Sequence, residues 1–525
     1  MILRKRGVMN ITDLVSRNAR QYPDQIAFVE VRPLSKTRKE ISWALFEERT
    51  NRLAHSLLDR GIGKGQKVAL LGRNSIHWLE AFFGIMKTGA CAIPLNFRFT
   101  DEDIQYCTEI SEPKAFVVEK EYVERVNAMR PALKSVTDFF GISDAPLDQM
   151  TTLESLIRGS ASFPTFVDIG DEDDCALYFT SGTTGAPKAV LHAHRSLMVA
   201  AITESTNHRW TSQDVNLMMA PLYHLAIGHL LGGVIVGARN VLLVEQISPE
   251  MIMDTVARER VTMAFLLVPW ASDILQALDR GELRLDEYDL SSWKLMYMGA
   301  QPIPPILVRR WKTYFPEMQH DTTYGLSEGG GPGVVRLGME NEHKLGAIGK
   351  TGLIWDVRIV DEKGRDVKPG EVGELIIKGS GVMKEYYKNP VATAEAVRDG
   401  WLYTNDLGKW DNDGFIYIVD RKKDLIISGG ENIYPVEIEN VIRRHPKVHD
   451  VAVIGVPDPR LGEKACAVVQ VTSGEQLTEQ EISSFCEQNL PRYKRPRQII
   501  FAQVPRSATG KIEKPKLREK YCKGN

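Results

Sequence analysis

The sequence predicts an α/β protein with a large N-terminal domain over residues 1–420 and a smaller α+β domain over residues 421–525. Three observations carry this. Short apolar runs alternate with helix-period stretches through about the first 330 residues, the order of a parallel sheet covered by helices. From about Gly346 the texture changes to short strands and Gly/Pro turns, a β-rich subdomain over about 346–420. After Arg421 the charge changes sign: residues 421–525 hold 19 Lys+Arg against 13 Asp+Glu, and the rest holds 47 against 55. The formal charge of -2 therefore averages an acidic body with a basic cap. That asymmetry suits a small domain closing over a polyanion, although solvated faces alone could produce it.

The elements follow in order. Ser42 caps a helix whose apolar positions Leu45, Phe46, Leu53, Leu57 and Leu58 recur near the helical period, and Gly61 ends it. A strand at Val68–Leu71, a helix from about Ile76 to Lys87 and a strand at Cys91–Leu95 make a β-α-β unit. Strands at Val241–Val244 and Met263–Val268 flank a helix over Ser248–Arg260. In the β-rich part, Val357–Val360 and Glu374–Ile377 are strands separated by turns. Val451–Ile454 is a strand and Thr478–Gln488 a helix in the last unit.

Composition excludes several classes. With 43% hydrophobic and 26% charged residues the chain can bury large cores and is not a disordered scaffold. It lacks the chain-wide basic excess of a nucleic-acid coat. Six scattered cysteines without a C-x-x-C pair point to a reduced, cytoplasmic protein. No apolar core of signal length follows the basic Met1–Arg6, and Met9 is an alternative start. The most apolar stretch, Leu225–Val244, is broken by His229, Arg239, Asn240 and four glycines, so it reads as a buried helix and strand rather than a membrane span.

The segment Tyr178-Phe179-Thr180-Ser181-Gly182-Thr183-Thr184-Gly185-Ala186-Pro187-Lys188 carries the chemistry. Glycines let successive backbone N–H groups turn toward one point, hydroxyls add donors and Lys188 adds a point charge, a natural cradle for a di- or triphosphate. It does not fit the Walker-type G-x-x-x-x-G-K-[ST] pattern. A Ser/Thr/Gly-rich run can also be a plain surface loop.

This string resembles the adenylate-forming superfamily of acyl-CoA synthetases, peptide-synthetase adenylation domains and luciferases. Further motifs recur in order: Tyr324-Gly325-Leu326-Ser327-Glu328, Gly373-Glu374-Leu375, Tyr403–Gly408 around Asp406, Asp420–Asp424, and Gly510-Lys511-Ile512. Acid:CoA ligases are the best match. The resemblance implies a large domain of two α/β sheets plus a small β-barrel and a mobile C-terminal domain hinged near Lys423. It also implies an AMP-forming acid–thiol ligase: a carboxylate attacks the α-phosphorus of ATP to give acyl-AMP and pyrophosphate, then a thiol displaces AMP. The cofactors implied are ATP, Mg2+ and coenzyme A.

By the same resemblance Ser181, Gly182, Thr183, Thr184 and Gly185 wrap the phosphates with Lys188 nearby, and Glu328 with Thr184 ligates Mg2+. Tyr324 stacks on adenine, while Asp406 and Arg421 hold the ribose. Lys511 reaches the reacting oxygens when the cap closes, and rotation at Lys423 brings Gly429 and Gly430 to the cleft for the thiol arm. His224 is the candidate gate of an acyl pocket lined by Trp270, Gly299, Ala300, Gly329 and Gly330, with the small residues read as a recessed wall. Asn405 departs from the family's glycine before the ribose aspartate. No acid lies between Met218 and Arg239 to hold an α-ammonium, which disfavours amino acids. The expected substrate is a medium-chain, alicyclic or aromatic acid. Loading of a carrier protein's phosphopantetheine and a non-catalytic nucleotide-binding scaffold remain alternatives. The expected partners are the small-molecule acid, ATP and CoA, a second copy in a homodimer, and a lysine acetyltransferase acting on Lys511.

Overall fold

The computed structural model describes residues 9–147, 149–180, 187–224, 226–245, 247–506 and 511–522. Two large sheets build the N-terminal domain. The first has nine strands, with a parallel centre formed by Leu295–Met298, Met263–Leu266, Val215–Met218 and Arg239–Leu243, joined to Gln319–Leu326 and Ile26–Arg32. The second has eight, with Cys91–Leu95, Lys67–Leu71, Ala115–Glu119 and Asp138–Ile142 parallel at its centre. Both acquire antiparallel edges, among them the hairpin of Asp174–Thr180 with Lys188–Ala193.

Helices fill the space between the sheets. One core cluster joins Phe28, Met218 and Leu242 of the first sheet to Val68, Ala92 and Tyr178 of the second through Trp43, Phe46, Trp78, Phe82 and Leu230. The helix Ile76–Lys87 is buried at every position but His77, its buried Glu80 and Lys87 paired with Arg49 and Glu47, and Ser75 accepts from Trp78 N at its start. Ser42 does cap Trp43–Leu58, through its Oγ and Leu45 N.

The β-rich region forms an open sheet: Trp355–Val360, Gly373–Gly379, Trp401–Trp410 and Val397–Arg398 in series, with Ile416–Arg421 also on Trp401–Trp410. The ring closure of the expected barrel is not seen among these pairs. The C-terminal domain has its own sheet, including the long hairpin Val448–Asp458 with Gly462–Val471 and the hairpin Ile426–Ser428 with Glu431–Ile433. Its cores are separate from those of the body. Among the described residues no helix is long and apolar enough to cross a membrane.

Candidate active site

Strands Gln319–Leu326, Trp401–Trp410 and Ile416–Arg421 bring Tyr324, Asp406 and Arg421 together, and Lys511 of the C-terminal domain lies near them. Asp406 lies on Trp401–Trp410 directly opposite Arg421 on Ile416–Arg421. Arg421 Nε sits 2.9 Å from Asp406 Oδ1, and the Tyr324 hydroxyl donates to Oδ2 at 2.6 Å. Burial, then the Asp406 charge, push the Tyr324 phenol well above its ordinary range, so it stays a donor. Asp406 N donates to Thr404 Oγ1 at 3.1 Å. Asn405 has φ +60°, and asparagine is among the residues that best tolerate the left-handed region. That is why it can stand where the family resemblance leads one to expect glycine. Glu374 explains its own motif: it accepts from Asn405 N at 3.1 Å and from Lys422 Nζ at 3.0 Å, tying the aspartate turn to the interdomain segment.

Glu328 sits in a short turn, Ser327–Gly329, that follows Gln319–Leu326. Tyr386 donates to its Oε1 at 2.8 Å, and Lys188 Nζ lies 4.8 Å from the centre of the Tyr386 ring. One tyrosine thus bridges the lysine of the phosphate segment and the candidate metal ligand. Buried His192 stays neutral, its pKa lowered to about 4 by burial, and donates Nε2 to the Ser327 carbonyl at 2.8 Å, pinning the turn. Ser181, Gly182, Thr183, Thr184 and Gly185 lie outside the described residues, as does Gly510.

Lys511 enters from the C-terminal domain. Its ammonium feels the charges of Arg421, Asp406, Glu328 and Lys423, and it perturbs His224 in turn. Crowding by protein, then Arg421, bring its pKa down to about 8. Its side chain is nevertheless exposed to water, which offsets part of that burial. His224 is held neutral near pH 7 by burial and then by Lys511, with a pKa of about 4, and packs 4.5 Å from the Tyr223 ring. Lys423 lies in the turn Lys422–Asp424 that follows Ile416–Arg421.

The recessed wall expected at Gly299, Gly329 and Gly330 is filled by neighbouring groups. A Cβ on Gly299 would meet the Thr323 carbonyl at 2.7 Å and one on Gly330 the Gly381 carbonyl at 2.0 Å; Gly329 faces Ile377 and Leu326. Gly299 and Gly330 let backbones approach closely and Gly329 lets side chains do so, so their missing side chains make no room for a substrate. Ala300 keeps φ +66°, a strained position for a residue with a Cβ, and Trp270 packs at the edge of the nine-stranded sheet's cores. Gly429 and Gly430, φ +60° and +86°, turn the hairpin of the C-terminal domain, where nothing lies within 4 Å of a Cβ built on Gly430.

Sequence reasoning missed Tyr386 and His192. Tyr386 is 58 residues from Glu328 and reaches it only because Glu385–Tyr386 pairs with Lys188–Ala193, a contact with no local sequence signal.

Residues 15–387 match the family model described as AMP-binding enzyme, and residues 437–511 the AMP-binding enzyme C-terminal domain. The chain belongs to the AMP-binding enzyme family. This AMP-binding enzyme is 34% identical over 519 residues to the long-chain-fatty-acid CoA ligase FadD13 of Mycobacterium tuberculosis, covering 98% of each chain. It is also 34% identical to a feruloyl-CoA synthase of Amycolatopsis, over 92% of this chain and 94% of that one. The anthranilate CoA ligase AuaEII, solved with anthranoyl-AMP, superposes with a TM-score of 0.89 at 25% identity, covering 98% of this chain and 97% of its own. The protein is thus an adenylate-forming enzyme of the AMP-forming acyl-CoA synthetase class, whose cofactors are ATP, Mg2+ and CoA.

The residues present fit that set. Among the described residues no group of three or more His, Cys, Asp or Glu could hold a metal by itself. Mg2+ characteristically takes one or two carboxylates plus substrate phosphates, a demand that Glu328 beside a nucleotide meets. Lys188, Arg421 and Lys511 supply the cations a polyphosphate needs.

Proposed function

We propose that this enzyme joins a medium-chain, alicyclic or aromatic carboxylic acid to coenzyme A. The observation that carries the reading is the convergence of Asp406, Arg421, Glu328 and Lys511 on one cleft, two sheets and a second domain contributing. Asp406 with Arg421 would hold the ribose, and Tyr324, its ring oriented by the bond to Asp406, would lie on adenine. Glu328 would ligate Mg2+, and Lys188 would meet the outer phosphates together with Ser181, Gly182, Thr183, Thr184 and Gly185, Thr184 also serving the metal. Lys511 would stabilise the charge that develops as the carboxylate attacks α-phosphorus, the kind of electrostatic help worth roughly 10²–10³ in rate per well-placed donor. His224, uncharged, with Trp270 and Ala300, would border the acyl group. The domains would meet at residues 420 and 421, with rotation at Lys423 presenting Gly429 and Gly430 to the thiol arm.

The substrate class rests on the absence of an acid in the 218–239 segment and on the range of the relatives, which besides those above include an indoleacetate CoA ligase of Aromatoleum aromaticum at 30% identity. A panel of acids assayed for pyrophosphate release, with and without CoA, tests it. We expect release with aromatic or medium-chain acids and AMP formation that depends on CoA. Acid-dependent pyrophosphate without CoA-dependent AMP would point to a carrier protein as acceptor, and silence with every acid would refute the enzyme.

A further inference from the structure

The chain on the two sides of 507–511 is tied together. Arg506 and Ile512 form an antiparallel bridge, and Glu513 N donates to the Pro505 carbonyl at 2.8 Å. The Arg506 side chain extends that tie in two directions. Its Nε and Nη2 grip both oxygens of buried Asp450, at 2.7 and 2.8 Å, inside the C-terminal domain. Its Nη1 donates to Gln301 Oε1 at 2.9 Å, on the body's loop just past Gly299 and strained Ala300. Arg443 Nη2, 3.6 Å from Asp450, adds a second cation to the internal pair.

The two halves of this arrangement respond differently to a domain rotation. The bidentate Arg506–Asp450 pair is internal to one domain and survives any rotation about Lys423, and its planar fork is rigid. The bond to Gln301 crosses between domains and is made in the arrangement that places Lys511 near Arg421, Asp406 and Glu328. A contact made in one of two arrangements shifts their populations by its own differential energy.

We propose that Gln301 and Arg506 form a conformation-specific latch: positioning residues that hold Lys511 in the cleft for adenylate formation and part before the thiol step. This rests on the reading of Lys511 above as the residue of the first half-reaction. Because Gln301 is neutral, its bond to Arg506 is a charge-assisted hydrogen bond rather than an ion pair, strong enough to bias the closed arrangement and weak enough to release.

The test compares Gln301→Ala and Gln301→Glu with the unaltered protein in each half-reaction, with energy transfer between dyes on the two domains as a readout independent of activity. Gln301→Ala should slow adenylate formation about three- to tenfold, leave the thiol step from preformed acyl-AMP unchanged, leave Tm unchanged and lower the closed population. Gln301→Glu, which turns the bond into an ion pair, should keep adenylate formation and slow the thiol step. Equal loss in both half-reactions, or an unchanged closed population in Gln301→Ala, overturns the latch. Lys511→Ala run in parallel separates the two ideas. If it impairs both half-reactions equally while Gln301→Ala still opens the domains, the reading of Lys511 fails and the latch stands.

Discussion

Tyr324 and Asp406 share a 2.6 Å hydrogen bond across two different sheets, the phenol donating to the oxygen that Arg421 leaves open. The bond orients the ring and, together with the Arg421 pair, fixes both oxygens of the carboxylate. Tyr324→Phe removes a hydrogen bond to a charged acceptor, typically worth roughly 1.5–3 kcal/mol. We expect the KM for ATP to rise about tenfold while kcat changes less than about threefold, read from initial rates of pyrophosphate release.

Tyr386 offers a second test. Its phenol is pushed far up, by burial first and then by Glu328, so it keeps its proton and donates a hydrogen bond to Glu328. Tyr386→Phe frees Glu328 to turn away from the metal position. The Mg2+ concentration for half-maximal activity should rise several-fold with saturating ATP and acid. An unchanged Mg2+ requirement would remove Glu328 from that role.

Lys511 sets an alkaline limit. A lysine whose pKa is lowered loses its proton as pH rises through that value, here about 8, so the help proposed for it in adenylate formation would be complete below it and fade above. The kcat/KM of the first half-reaction should therefore fall through about pH 8. Lys511→Arg, always charged, should be slower at neutral pH but show no such limb below pH 9.

Lys423 precedes Asp424, which Arg518 of the last helix holds at 2.7 Å. A proline at 423 restricts the backbone where rotation is proposed. Lys423→Pro should depress the thiol step more than adenylate formation, measured separately; the reverse pattern would count against the hinge.

Asp420 is buried, accepts from Arg421 N at 2.7 Å and from Val436 N at 2.9 Å, and is pushed up to about 6 by burial in spite of Lys514. A carboxyl raised in the folded state contributes stability that is present below its unfolded value of roughly 4 and lost as pH rises through about 6. Between pH 4.5 and 7.5 the stability of Asp420→Asn relative to the parent should improve by on the order of 2 kcal/mol, read from urea midpoints.

Much of the architecture was legible because local periodicity and burial agree. The helix Ile76–Lys87 and the strand Cys91–Leu95 fall where the apolar runs put them, and Ser42, Ser248 and Thr478 cap the helices that follow them. The antiparallel edges were not legible, because a strand's partner is chosen by distant residues and its own pattern is the same either way. The glycines at 299, 329 and 330 were misread for a similar reason. A glycine signals only that something comes close, and whether that is a ligand or another backbone depends on the neighbour.

The order of motifs along the chain, through its resemblance to a known family, identified the family, and the charge count marked a basic C-terminal part. Only the tertiary structure decided how the motif residues work together. It put Tyr386 between Lys188 and Glu328, Tyr324 on Asp406, and Arg506 between Asp450 and Gln301. Each pairing joins residues dozens to hundreds of positions apart. Hydrogen bonds act over about 3 Å, so such partners are set by how sheets and domains pack and leave no trace in local sequence.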